Sequence, residues 1–97
     1  MAVGLTMSAQ GGRQLTAGRT PITRAALELA IAEAVRDSSP ECGALIAIIV
    51  ERVVPASPGG ANWGVKGVRY GKAERDRCSA AILACVEEGQ REFELAD

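Results

Sequence analysis

The side chains best suited to recognition lie in one segment, NWGVKGVRYGKAERDRC, which spans residues 62–78. This segment holds the only Trp and the only Tyr of the chain, together with several cations set among glycines. Trp, Tyr and Arg are enriched at the energetic centres of protein interfaces. The segment therefore predicts an interaction surface. Its candidate residues are Trp63, Lys66, Arg69, Tyr70, Lys72 and Arg75.

The same segment has two further interpretations. Cations that contact phosphates and rings that stack on bases are typical of nucleic-acid binding. However, a formal net charge of −1 gives the whole molecule little attraction for a polyanion. The third interpretation uses Trp63 as a core or interface anchor and leaves the cations as a solvated face. We favour protein–protein contact, with an unknown protein partner, and keep nucleic acid as the alternative.

The three cysteines, Cys42, Cys78 and Cys85, lack the companions that cysteine chemistry needs. The chain has no His, which is a common zinc ligand and the usual base for a nucleophilic cysteine. We therefore predict no metal site and expect the cysteines to be small buried hydrophobic residues. Their odd number argues against a disulfide framework and fits a reducing compartment.

Signals for catalysis or cofactor binding are weak. Neighbouring carboxylates such as Glu87 and Glu88 are more simply solvated charges than an acid–base pair. The glycines near Trp63 match neither the phosphate-binding loop nor the dinucleotide fingerprint. We predict no catalytic residue and no cofactor, and the sequence favours a non-catalytic protein.

Composition indicates one small domain with a thin core. The chain has 97 residues, of which 47% are hydrophobic and 24% charged, which is ordinary for a globular protein. Many of the apolar residues are Ala, which bury little area. Self-association is favoured because a second copy can bury what the monomer leaves exposed. We therefore predict a homodimer.

Charge is distributed unevenly along the chain. Cations dominate residues 66–77, whereas Glu and Asp dominate the C-terminal residues 87–97. This asymmetry allows head-to-tail pairing between copies, or it only keeps the surface solvated.

Residues 1–19 are rich in Gly, Ser, Thr, Gln and Ala, and they predict a flexible tail before a single globular domain at 20–97. The N-terminal sequence lacks the basic and apolar regions of a secretory signal. No apolar run reaches the roughly 20 residues that span a bilayer. We expect a cytoplasmic protein with no membrane partner.

Two helices are predicted. Thr20-Pro21 is typical of a helix start, with Thr as the N-cap and Pro in the first turn, and the Ala-rich sequence that follows predicts a helix over 21–36. Apolar residues at steps of three, four and seven predict a second helix over 73–94. Gly89 lies on its apolar stripe, where it would weaken the last turns by about 1 kcal/mol relative to Ala.

The residues between the helices predict two strands. Residues 44–54 are rich in β-branched side chains. Residues 62–70 alternate in a way that puts Trp63 with Val65 on one face and Val68 with Tyr70 on the other. The predicted fold is a small α+β domain of order α-β-β-α, with two helices packed on a two-stranded antiparallel hairpin that a dimer could extend. The alternative is an all-α domain in which residues 40–53 are helical.

One stretch resembles a known group of proteins. It comprises Asn62-Trp63, Gly67-Val68, Tyr70-Gly71-Lys72-Ala73 and Arg75, within a longer match over residues 42–93 that includes 49–52 and 90–93. These residues resemble a segment of short alphaproteobacterial, rhizobial-type proteins of unknown function. The resemblance implies a bacterial cytoplasmic origin, and it implies no activity, cofactor or site residue.

Overall fold

The computed structural model describes residues 19–97, so residues 1–18 of the predicted tail lie outside the described residues. The fold is α+β, with two helices and a two-stranded antiparallel hairpin, as predicted. The all-α alternative is wrong, because only residues 40–42 of the 40–53 segment are helical and a strand follows them. The elements are β1 Thr20–Ile22, α1 Arg24–Ser38, a 3₁₀ helix Pro40–Cys42, β2 Ala47–Arg52, β3 Trp63–Arg69, α2 Arg75–Glu92 and β4 Phe93–Leu95.

The first helix starts later than Thr20-Pro21 predicted. Its N-cap is Thr23, whose hydroxyl accepts from the Ala26 N–H at 3.3 Å. The Asp97 carboxylate accepts from the Arg24 N–H at 2.7 Å and so occupies a second free donor of the first turn. An anion at this end is also favoured by the helix dipole.

A short parallel strand pair, which the sequence did not predict, replaces the expected helix ends. Strand β1 pairs with β4, with Thr20 opposite Phe93 and Ile22 opposite Leu95. The Ala96 N–H continues the pairing by donating to the Ile22 carbonyl at 2.8 Å. The predicted helix over 73–94 therefore ends at Glu92, because the next three residues pair with the segment before α1.

The hairpin β2–β3 is antiparallel and contains a bulge. Ile49 is opposite Gly67 and Val50 is opposite Val65, so Lys66 has no partner on β2. One extra residue shifts the side-chain alternation by one. Val68 and Tyr70 therefore pack against the core together with Val65, and the prediction that they lie on the face opposite Trp63 is wrong.

Trp63 is central to the core. Its side chain is 0% exposed, and it packs with buried residues of both helices and of β2. Gly89 of α2 lies beside it, where a Cβ would come within 2.6 Å of Ile31 Cδ1 and 3.3 Å of Trp63 Cη2. The glycine that appeared to weaken α2 is thus the residue that lets the helix approach α1 and the indole ring.

Cys42 and Cys78 form a disulfide, which corrects the expectation that the cysteines are unpaired buried residues. Both residues are fully buried, and their Cα atoms are 5.7 Å apart. The odd cysteine is Cys85, which is free and half-buried. The bond links the 3₁₀ helix to the first turn of α2 across a sequence separation of 36. By the chain-entropy argument, a disulfide that closes a loop of this length stabilises the fold by about 4 kcal/mol.

Candidate interaction surface

The outer edge of β2 is closed by two charged side chains of α1. The Val50 N–H donates to Glu28 Oε2 at 2.8 Å. Arg36 donates from Nε to the Leu45 carbonyl and from Nη2 to the Ile46 carbonyl, both at 2.8 Å. The Glu28 contact occupies a backbone donor of β2 itself, and the Arg36 contacts occupy carbonyls of the two residues just before the strand, so together they hinder pairing along this side. We call this the sealed edge, defined by the backbone of residues 45–50.

The outer edge of β3 lacks such cover over most of its length. At its start, Gln90 Nε2 of α2 donates to the Trp63 carbonyl at 2.9 Å. Beyond that point, within residues 19–97, no other strand pairs with this side of β3, and no side chain hydrogen-bonds to its backbone. We call this the open edge, defined by residues 64–69.

An apolar groove runs beside the open edge, between β3 and α2. It has a volume of about 270 Å³ and is lined by Val65, Tyr70, Ser79, Ile82, Leu83 and Val86. Leu83 is 60% exposed, although it lies near the middle of the helix. Together with the apolar lining of the groove, Leu83 forms a contiguous apolar patch, and such a patch can mark a contact surface.

Four of the predicted interaction residues are exposed cations near this groove. Lys66 is the bulged residue of β3, and Arg69 is the last residue of the strand. Lys72 lies in the turn before α2, and Arg75 is the first residue of the helix. Three of them therefore meet where β3 ends and α2 begins, while Lys66 lies halfway along the strand.

Tyr70 is half-buried, and the guanidinium of Arg75 lies over its ring, 5.3 Å from the centroid. At this distance the cation is attracted to the ring face. The contact places Arg75 at the end of the groove, over one face of the Tyr70 ring. The Tyr70 side chain therefore lines the groove, and one face of its ring is taken by Arg75.

Trp63, also predicted to be an interaction residue, is corrected to a core residue. Its ring has no exposed surface, and its indole Nε1–H donates to the Phe93 carbonyl at 3.1 Å. Next to it, the Asn62 side chain makes two hydrogen bonds to the backbone of Leu95. The Asn-Trp pair thus attaches β4 to the hairpin and offers no surface to a partner.

Sequence reasoning missed three residues that distinguish the two sides of the hairpin. Glu28 and Arg36 are polar positions on α1, and nothing in the pattern showed which backbone atoms they reach. Leu83 did carry a signal, because it lies off the apolar stripe formed by Cys78, Ile82 and Cys85.

Searches against protein-family models, curated proteins and solved structures found no match for this chain. In the part of the chain that the structure describes, no group of three or more His, Cys, Asp or Glu side chains could hold a metal ion. Neither helix in that part is long and apolar enough to cross a membrane.

Proposed function

We propose that this chain is a non-catalytic interaction protein that self-associates through the open edge of β3. Antiparallel pairing with the same edge of a second copy would give a four-stranded sheet of order β2–β3–β3–β2. The observation that carries the proposal is the difference between the two edges, since α1 covers one of them and the other stays unpaired. Unpaired strand edges are templates for pairing with another chain.

The charge distribution supports a second copy as the occupant. Helix α2 runs antiparallel to β3, because Arg75 lies beside Tyr70 at one end and Gln90 bonds to Trp63 at the other. The cations therefore gather at one end of the open edge. The exposed acids Glu87, Glu88, Glu92 and Glu94 gather at the other end.

Two-fold symmetry converts this asymmetry into complementarity. In an antiparallel β3–β3 pair, the Arg69 and Lys72 end of one copy lies beside the Glu87 end of the other. A two-fold interface uses the same patch on both copies, so the favourable contact occurs twice. Complementary charge also favours the correct encounter over other orientations.

The groove supplies the apolar part of the interface. Leu83 stands at its rim, and side chains from an added strand would fall between it and Val65. A buried apolar centre surrounded by polar and charged groups is the usual anatomy of a protein interface.

Nucleic-acid binding, the alternative prediction, has less support. Base stacking needs exposed rings. Trp63 is buried, and Tyr70 is half-buried with Arg75 over one face of its ring. The four exposed cations remain available to phosphates, so oligonucleotide binding is retained as an outcome of the test.

The test is the oligomeric state of matched leucine variants. Leu83→Glu puts a charge in the groove of the open edge without removing a buried group. Leu29→Glu is the control, because Leu29 is 57% exposed at the corresponding position beside the sealed edge. Sedimentation velocity over a concentration series should show dimers for wild type and for Leu29→Glu. The Leu83→Glu dimer should be weaker by at least about tenfold in Kd, which corresponds to about 1.4 kcal/mol.

Three outcomes would overturn the proposal. Wild type that stays monomeric at high micromolar concentration would remove self-association. Dimers lost in Leu29→Glu but kept in Leu83→Glu would move the interface to α1. A salt-sensitive shift with an oligonucleotide, together with a monomeric free protein, would favour the nucleic-acid alternative.

Cytoplasmic residence in a bacterium is also part of the proposal, on the strength of the sequence alone. The disulfide makes this testable. Rapid acid quenching of cells, followed by alkylation of thiols in denaturant and mass analysis, should find Cys42 and Cys78 modified if the protein resides in a reducing compartment. Protection of both residues would point instead to an oxidising one.

A further inference from the structure

The Cys42–Cys78 disulfide lies at the end of the molecule where the exposed cations gather. Cys42 is the last residue of the 3₁₀ helix, and Cys78 lies in the first turn of α2. The turn that carries Lys72 ends only a few residues before Cys78. The disulfide therefore anchors the start of α2. This start carries Arg75 as its first residue, and the turn just before it carries Lys72.

The remaining contacts at this corner are weak. The N-cap residue of α2 is Glu74, whose side chain makes no capping hydrogen bond. Arg77 pairs with Glu41 at 2.9 Å and with Glu74 at 3.0 Å, but all three side chains are about half exposed or more. Exposed ion pairs contribute little to stability. Without the disulfide, the first turn of α2 thus depends mainly on packing of Cys78 and Ala73.

The core that includes Cys42 and Cys78 extends well beyond this corner. Ile31 and Trp63 pack near the opposite end of α2, around Gly89. A pair of thiols at Cys42 and Cys78 would still fill the buried space at the corner, since cysteine behaves as a small hydrophobic residue. Reduction should therefore loosen the start of α2 without unfolding the chain.

We propose that this disulfide is a redox-controlled staple that fixes the cationic end of the open edge, so that the oxidised protein self-associates more tightly than the reduced one. The control of assembly rests on the proposed function. The reductant is an external dithiol. One of its thiolates attacks one sulfur of the disulfide, which breaks the Cys42–Cys78 bond, releases the other cysteine as a thiolate and forms a mixed disulfide. The second thiolate of the reductant then displaces the remaining cysteine as a thiolate. Two electrons pass to the protein, Cys42 and Cys78 take up two protons, and the dithiol leaves as a cyclic disulfide.

Because both sulfurs are fully buried, exchange requires local opening of the corner. The opening exposes the 3₁₀ helix and the first turn of α2, which the weak ion pairs allow. Reduction of the Cys42–Cys78 disulfide is therefore slow. It is faster in the monomer than in a dimer whose second copy covers the corner.

The experiment uses the full chain with Cys85→Ala, which prevents disulfides between copies. The protein is compared after oxidation with glutathione disulfide and after reduction with dithiothreitol, and intact mass after alkylation verifies each state. Hydrogen exchange is measured on the monomer at low concentration, and the dimer Kd by sedimentation. After reduction, amides of residues 70–78 should exchange faster and Kd should rise by roughly tenfold, a coupling of ordinary size.

The variant Cys42→Ala/Cys78→Ala, in the same background, should show the amide exchange and the Kd of the reduced protein. Dithiothreitol should change neither quantity. The proposal is overturned if both states show the same exchange and the same Kd, or if the oxidised sample keeps two alkylatable thiols. Association in neither state overturns the proposed function and with it the control of assembly. In that case the exchange data still decide whether the bond holds the corner.

Discussion

The two sides of the hairpin are similar in shape and different in chemistry. Each strand has a helix alongside it and an apolar groove between strand and helix, of about 260 Å³ on the β2 side and about 270 Å³ on the β3 side. Each groove has a leucine at its rim, Leu29 at 57% and Leu83 at 60% exposure. Within residues 19–97, three side-chain hydrogen bonds reach the outward-facing backbone on the β2 side, whereas the β3 side has one, from Gln90 to the Trp63 carbonyl at its first residue.

The difference follows from which side chains stand along each helix. Glu28 and Arg36 are two turns apart on α1, and together they supply an acceptor and a forked donor to one strand. On α2, Gln90 reaches the Trp63 carbonyl, but Val86 and Leu83, further along the groove, have no polar atoms to offer. Edge protection in this fold is thus a property of a few side chains and does not come with the helix itself.

The largest effect is expected where α2 does contact β3. Trp63→Ala removes the largest fully buried side chain and leaves the Phe93 carbonyl without its donor. It should lower the free energy of unfolding by about 3–5 kcal/mol. Urea denaturation followed by circular dichroism would measure this, because no other Trp is available as a fluorescent probe.

Trp63→Phe is the matched control, since it keeps an aromatic ring and loses the indole N–H. It should cost clearly less than Trp63→Ala. Equal losses would mean that the hydrogen bond to the Phe93 carbonyl, and not ring packing, dominates the contribution of Trp63 to stability.

Arg36→Ala tests whether the sealed edge is closed by α1. The change removes two charge-assisted hydrogen bonds and frees the carbonyls of Leu45 and Ile46. It should reduce stability by about 1–3 kcal/mol and make the edge available for pairing. Thermal unfolding gives the first quantity, and sedimentation at high concentration gives the second.

Arg36→Lys keeps the charge but cannot bridge two carbonyls with one planar group. We expect it to recover only part of the lost stability. If Arg36→Ala left both stability and oligomeric state unchanged, the difference between the two edges would not depend on side-chain cover.

The sequence predicted the elements better than their ends. The Ala-rich run and the apolar stripe predicted α1 and α2, and the β-branched run predicted β2, because these are local patterns. The start of α1 was misplaced because Thr20-Pro21 pairs with β4, which lies more than 70 residues away. No local signal reports such a contact.

The predicted interaction residues fall into two groups, exposed cations and buried or half-buried aromatic residues, for a similar reason. The cations Lys66, Arg69, Lys72 and Arg75 are exposed, as charged side chains usually are. The burial of Trp63 depended on its packing with both helices. The side of Tyr70 depended on the bulge at Lys66, which follows from the pairing with β2 and cannot be counted from β3 alone. The disulfide likewise joins residues whose proximity only the tertiary fold creates.

The smallest effect gives the sharpest test of the proposed pairing. Lys66 is the middle residue of β3, so an antiparallel pair of open edges brings it near its own copy at the two-fold axis. Lys72 lies at the end, near the partner's acids. Lys66→Ala should therefore tighten the dimer, by less than about 1 kcal/mol, and Lys72→Ala should weaken it by a similar amount, since both groups are exposed. Sedimentation at low salt would resolve the sign, and raising the salt should shrink both effects. If both substitutions change Kd in the same direction, the copies do not meet antiparallel through β3.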